Sequence, residues 1–388
     1  MPRPPLPAVV LVSWGWHLII TLVFAFILQA NPELPEAPWF STPDWAGNLA
    51  HWDVNWEFRI VDQGYGPDFS PQTSAKFPLA ALFARLLHQA FNLPIQVALF
   101  IVNKAGLLLA LSALWHLVAR LHNPPAANRA IGYIAFPIFG TAFIYWMSYP
   151  DPLFLAWWAL AFTSLFQRRY FRAGLWTVLA VWSRPQGALL LPVFALSILV
   201  HHRAELRAGL AAASRVLPPL LAACLLPTLA LIAWVIRVSD VTAIPFSPYL
   251  AQSDVRQTGL MWPWDRLALR LNFMLTEPPP LNPGYWLEAW QLLLIIVGLI
   301  ALIALAYRRR LPWELCLFSG LSVAFPLLTG IIAIGRFATL TWLPLVFIYC
   351  IPPRLHWLDS LLWALGLILS LAVLIGLNLA NTGLYYVP

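Results

Sequence analysis

An all-α, polytopic membrane bundle is the fold the sequence predicts, and three observations carry it. Of the 388 residues, 61% are hydrophobic and only 10% are charged, whereas a soluble domain carries about 25% charged residues. Apolar runs of about 20 residues recur along the whole chain, which excludes a barrel and fits membrane-spanning helices. The basic residues gather in short clusters between those runs, as cytoplasmic loop anchors do. The expected architecture is a single integral membrane domain over 1–388. It has about nine full transmembrane helices, a re-entrant half-helix pair and amphipathic interfacial helices in the first outer loop. The mean hydropathy of +0.74 agrees. A net charge of +7 invites a nucleic-acid partner, but loop anchors account for it. Cys224, Cys316 and Cys350 lie inside apolar runs with neither disulfide nor zinc spacing, and read as packing residues.

Residues 8–29 form the first run. It is too long for the apolar region of a secretory signal, and Leu28 occupies the −3 position of its only candidate cleavage site, so it reads as an uncleaved helix. Arg3 places its start inside. The first outer loop, 31–93, opens with prolines at 32, 35, 38 and 43. Thr42-Pro43-Asp44 predicts a helix start, with Thr42 as N-cap and Pro43 at the first helical position. From there Trp45, Leu49, Trp52 and Trp56 form one apolar stripe, the pattern of a helix anchored at the membrane surface. Anchoring does not explain the acids. Positions 44, 53, 57, 62 and 68 hold five of the chain's 16 Asp and Glu residues. Asp53 and Glu57, four apart, share a face beside the stripe. A Gly/Pro-rich loop follows, Gly64-Tyr65-Gly66-Pro67, then a second amphipathic helix over 79–92.

Helix 94–121 ends at Arg120 and His122, and helix 129–146 begins after a basic loop, so that loop is inside. The link Ser148-Tyr149-Pro150-Asp151-Pro152 is then outside, and helix 152–167 returns to Arg168, Arg169 and Arg172. Residues 173–201 have basic residues at both ends and Ser183-Arg184-Pro185-Gln186-Gly187 in the middle. Two half-helices of roughly 15–22 Å meeting at Arg184 fit this pattern, and a polar turn at membrane depth is tolerated where it lines a cavity. A single kinked spanning helix is the other reading. Helix 216–237 leads to a second outer loop, 238–285, and helix 286–307 returns to Arg308-Arg309-Arg310. Helix 312–333 goes out to Gly335-Arg336-Phe337, helix 338–351 comes back to Pro352-Pro353-Arg354, and helix 357–380 ends outside. No internal repeat is visible.

This topology gathers Asp53, Asp151, Arg184 and Arg336 on the outer side. A carboxylate can take the proton of an attacking hydroxyl, and arginines grip a phosphate and stabilise its charge as it leaves. Lys76 adds a cation, with Lys104 deeper in its helix. His51 adjoins Asp53 and could tune it or bond substrate. The plainer alternatives are a structural Asp–Arg pair for Asp151 and Arg184, and a solvated interfacial residue for His51. Asp53 and Glu57 could share a divalent cation, but no set of His, Asp and Glu has convincing ligand spacing.

The series His51-Trp52-Asp53, Gly64-Tyr65, Phe77-Pro78-Leu79, Ser148-Tyr149-Pro150-Asp151-Pro152-Leu153-Phe154, Arg184-Pro185-Gln186-Gly187 and Arg336-Phe337 resembles the glycosylphosphatidylinositol mannosyltransferase II family. It is most similar to that family's prokaryotic relatives in the GT-C glycosyltransferase superfamily. The resemblance covers about 45 to 340 in order, although each motif is short. It implies a GT-C-like bundle that takes a sugar, usually mannose, from a polyprenyl-phosphate donor. The sugar passes with inversion to a hydroxyl of a glycolipid or glycan acceptor, on the outer or lumenal face. Asp53 would be the catalytic base, and His51, Glu57, Tyr65, Lys76, Tyr149, Asp151, Arg184, Gln186 and Arg336 would bind substrate. No cofactor is required, since lipid phosphate is already a good leaving group. The membrane would be the plasma membrane in a prokaryote and the endoplasmic reticulum in a eukaryote, with membrane lipids and no nucleic acid as partners. The family commonly has Glu where Asp151 stands, and Asn or Thr where Gln186 stands. A transporter or lipid flippase, and a non-catalytic membrane subunit, are the competing readings. A transporter predicts repeats and symmetric broken helices, which the sequence lacks.

Overall fold

The computed structural model describes residues 6–29, 49, 53–65, 76–209, 214–244, 246, 262, 264–265, 267–269, 272, 283–329 and 334–380. They are mostly helical, with no strand among them. Five helices are long and apolar enough to cross a membrane: α1 (Ala8–Gln29), α4 (Ile95–Leu121), α11 (Leu217–Thr242), α12 (Pro283–Tyr307) and α16 (Trp357–Ala380). The chain is an all-α polytopic membrane protein.

The shorter helices in chain order are α2 (Asp53–Gln63), α3 (Leu79–Phe91), α5 (Pro124–Ala135), α6 (Phe143–Trp146), α7 (Asp151–Phe166), α8 (Tyr170–Ser183), α9 (Leu190–His201) and α10 (Arg203–Arg207). After α12 come α13 (Trp313–Thr329), α14 (Ile334–Thr339) and α15 (Phe347–Cys350). Local chemistry fixes several ends. Asn92 takes a left-handed conformation (φ 51°) to close α3 ahead of Pro94. The Asn123 side chain accepts from Ala126 N at 2.8 Å and caps α5, with Pro124 at its first position.

Two expected passes are broken. In place of a helix over 129–146, α5 stops at Ala135 and only the four residues of α6 follow. Pro137 and Gly140, whose φ is +71°, end the helix there. In place of a helix over 338–351, the chain forms α14, a 3₁₀ turn at Leu343–Val346 carrying Pro344, and α15. Arg336 therefore stands on a short helix rather than in a loop. The expected helix from Thr42 is also revised. Residues 42–48 and 50–52 lie outside the described residues, and the helix described there is α2, which carries Asp53 and Glu57. The second outer loop is shorter than 238–285 at both ends, because α11 reaches Thr242 and α12 begins at Pro283.

The segment around Arg184 is re-entrant. Gly174 lies against the Ala222 carbonyl, and Trp182 Nε1 donates to Ala230 O at 3.1 Å, so α8 and α11 run parallel at a constant offset of 48 residues. After Arg184 the chain reverses: Cys224 Sγ lies 3.8 Å from Leu191 O, back down α11. Near the lower end of α9, Ser197 Oγ donates to Glu314 Oε1 at 2.9 Å, in the first turn of α13. At 14 and 12 residues, the two halves are roughly 21 and 18 Å long, short of the 30 Å hydrocarbon core.

Candidate active site

Proline dictates where the tip forms. Arg184 precedes Pro185, which forces it into an extended conformation (φ −159°, ψ 153°), and α8 stops there. A 3₁₀ turn, Pro185–Leu189, then folds back so closely that a Cβ at Gly187 would lie 2.4 Å from backbone atoms of Ala180 and Val181. Only glycine fits that approach.

Asp151 is the hub. It is the first residue of α7, where the helix dipole favours a carboxylate, and it is wholly buried. Arg336 grips it with two bonds, Nε to Oδ1 at 2.8 Å and Nη2 to Oδ2 at 2.7 Å. Arg184 Nη1 also donates to Oδ1. Both arginines are 8% exposed. Two guanidiniums thus share one buried carboxylate, a setting in which charged groups are held by hydrogen-bonded partners. Aromatic rings brace the cations crosswise: Arg336 lies over Tyr149 at 4.3 Å and Arg184 over Phe337 at 5.3 Å. Beside Arg336, Gly335 leaves no room for a Cβ against the Gln291 side chain.

Gln186 Oε1 accepts from Arg184 Nε at 3.3 Å. Arginine can only donate, so this bond fixes which way the amide faces. Among the described residues the buried Nε2 then has no hydrogen-bond acceptor, and the buried Ser148 hydroxyl has no partner. An apolar groove of about 590 Å³ runs between α8 and α11, lined by Leu175, Trp176, Leu179, Trp182, Leu229 and Ala233. Its member Trp182 is two residues from Arg184.

The first outer loop approaches the same end. Ser148 N donates to Leu49 O at 3.2 Å. Glu57 is buried on α2. Burial, and then the Glu57 charge, push the Tyr65 hydroxyl above its ordinary pKa, and that hydroxyl donates to Lys76 O at 2.8 Å. Phe77 stacks on Trp234 at 4.2 Å. Trp234 lies one helical turn beyond Ala230, the partner of Trp182, so Phe77 packs on α11 just past the end of α8.

Of the residues expected to meet, the structure joins Tyr149, Asp151, Arg184, Gln186 and Arg336 directly, and groups Tyr65 with Glu57 and Lys76 beside Trp234 of α11. His51 lies outside the described residues, as does the Asp53 side chain. Lys104 is corrected: its ammonium faces the backbone of the Tyr145–Trp146 stretch, not a phosphate. Among the described residues, no group of three His, Cys, Asp or Glu is placed to hold a metal ion. The sequence reading missed the groove and the carbonyl-binding role of Asn103. Its signal was present, as adjacent Asn103 and Lys104 are the polar pair in the middle of an apolar run.

These features define a polytopic helical membrane protein with a buried Asp–Arg cluster at the tip between α8 and α9. No family model matches the chain, and no curated protein matches it. Among solved structures it is similar to crystal structures of the Archaeoglobus fulgidus oligosaccharyltransferase. The apo form aligns with TM-score 0.46 and 14% identity over 95% of this chain and 56% of that one. The complex with Zn and sulfate gives 0.43 and 14%, over 95% and 53%. The form tethered by a disulfide to an acceptor peptide with the NVT sequon gives 0.41 and 15%, over 95% and 55%. The chain thus spans about half the length of that archaeal protein.

Proposed function

We propose that the chain is an inverting GT-C glycosyltransferase, a prokaryotic relative of the glycosylphosphatidylinositol mannosyltransferase II family. It moves mannose from a polyprenyl-phosphate carrier to a glycolipid or glycan hydroxyl on the non-cytoplasmic face. The observation that carries this reading is Asp151 held by Arg184 and Arg336, from three separate elements, at a re-entrant tip. Its further support is the order of the sequence motifs, the donor groups of Gln186 and Ser148, and the apolar groove beside Arg184.

The lipid tail lies in the groove and its phosphate meets the arginine end, where Gln186 Nε2 donates to a phosphate oxygen. The acceptor hydroxyl approaches from the first outer loop and gives its proton to Asp53. Its oxygen attacks the anomeric carbon from the face opposite the phosphate, so configuration inverts. The carbon–oxygen bond to phosphate breaks and the electron pair stays on the phosphate oxygen, stabilised by the guanidiniums. A divalent cation shared by Asp53 and Glu57 is compatible with this chemistry.

Incubating the purified protein with radiolabelled polyprenyl-phosphate mannose and a membrane lipid extract tests the reading. Label is expected in a new lipid or glycan product. Flipping of the carrier across a vesicle without any product would instead identify the flippase alternative.

A further inference from the structure

The stretch between α5 and α7, residues 136–150, is largely irregular although it is packed in the apolar interior. Irregular backbone at that depth must have its carbonyls met by other groups. Two adjacent residues in the middle of α4 meet four of them. Asn103 Nδ2 donates to Ile144 O at 3.3 Å and to Tyr149 O at 2.7 Å. Lys104 Nζ donates to Tyr145 O, to Trp146 O at 3.3 Å and to Thr21 Oγ1 at 2.9 Å. An amide nitrogen has two hydrogens and an ammonium three, so all five donors are used.

The first helix locks the same joint. Thr21 Oγ1 donates its own proton to His17 O at 2.7 Å, which leaves the oxygen to accept from Lys104. Trp146 Nε1 donates to His17 Nδ1 at 2.7 Å, and Trp14 Nε1 to Lys104 O at 2.8 Å. What these bonds hold is the approach to the site. Tyr149, whose carbonyl Asn103 grips, is the ring beneath Arg336, and Asp151 follows two residues later.

We propose that Asn103 and Lys104 are positioning residues: they touch no substrate, and they fix the Ile144–Tyr149 backbone so that Tyr149 and Asp151 hold Arg336 in register. The role in catalysis rests on the transferase reading, and the clamp itself does not.

The test uses the full chain in lipid nanodiscs, as wild type, Lys104→Met, Lys104→Gln and Asn103→Ala. Hydrogen exchange is followed at the Tyr145, Met147 and Ser148 amides, with kcat and KM for transfer from polyprenyl-phosphate mannose. Lys104→Met keeps length and loses every donor, whereas Lys104→Gln keeps amide donors. In Lys104→Met, exchange is expected to rise at those three amides and not in α11 or α16. The variant's kcat is expected to fall between about tenfold and a hundredfold, as for a small misplacement of reacting groups, with donor KM changing less. Lys104→Gln should recover part of both effects. Asn103→Ala removes two bonds rather than three, and keeps the test decisive if Lys104→Met does not fold. Exchange unchanged at the three amides, or raised equally everywhere, overturns the proposal. A localised rise in a protein whose wild type shows no transfer upholds the clamp and overturns the transferase reading instead.

Discussion

Asp151 does two jobs at the scale of a single residue. It screens two arginines from each other, and in the proposed function it sets their spacing for the donor phosphate. Removing it leaves both cations buried without their shared carboxylate, and breaking a buried pair costs about 3–5 kcal/mol. Asp151→Asn should therefore lower the unfolding temperature in detergent as well as abolish transfer. Arg336→Lys separates the two roles. Lysine keeps the charge but loses the two-pronged grip and the ring stacking. It should fold, with a donor KM raised by about tenfold, as one lost charged hydrogen bond would give. Steady-state kinetics against donor concentration checks this. A donor KM equal to wild type would show that Arg336 serves only to hold Asp151.

Elements place these residues through two close approaches. At Gly187 a Cβ would meet backbone of α8, which cannot step aside. At Gly335 it would meet the Gln291 side chain, held by one bond from its Nε2 to Phe139 O at 2.8 Å. Gly187→Ala is thus expected to be the more damaging, opening the tip and losing folded protein. Gly335→Ala should fold with weakened activity. Size-exclusion profiles and thermal unfolding of the two variants decide the order. Much of this was legible in the sequence. The ends of α1, α3, α4, α7 and α16 follow from run length, proline and capping residues, and the meeting of Asp151, Arg184 and Arg336 follows from alternating basic and acidic loops. The breaks at 136–142 and 340–346 were hidden because hydropathy records side chains and not backbone bonds. Their polar groups are met from far along the chain: Trp290 Nε1 donates to Ile138 O at 3.0 Å, and the Ser370 hydroxyl accepts from Ala142 N at 3.0 Å. No local pattern announces such partners. Lys104 was misread for the same reason, since an intramembrane cation looks alike in sequence whether it faces a ligand or a carbonyl.

Across the whole molecule, a second set of polar contacts ties the opposite end together. Arg129 Nε and Nη2 donate to the two Asp359 oxygens at 2.6 and 3.0 Å, and Tyr133 donates to Asp359 as well. His122 pairs with the Tyr349 hydroxyl. The contacts join α5 to the start of α16 and the end of α4 to α15, segments that the sequence topology had placed on one side of the membrane. Asp359→Ala should cost about 3 kcal/mol of stability while leaving donor KM unchanged, which unfolding and kinetics together can check. Burial lowers the His122 pKa below its ordinary value. The folded state thus favours neutral imidazole, so this contribution is complete above about pH 6.5 and is lost as pH falls through the lowered value. Unfolding temperature is expected to drop on acidification through that window, and less so in His122→Asn. These contacts tie helices together away from the Asp151 cluster.

The transferase account turns on Asp53, in α2. The direct measurement is transfer from labelled polyprenyl-phosphate mannose by the wild type and by Asp53→Asn, side by side in nanodiscs with matched unfolding temperatures. Loss of a general base lowers the rate by about a hundredfold to ten-thousandfold, and the account predicts that loss with donor binding retained. Transfer by Asp53→Asn at a rate near the wild type would contradict it.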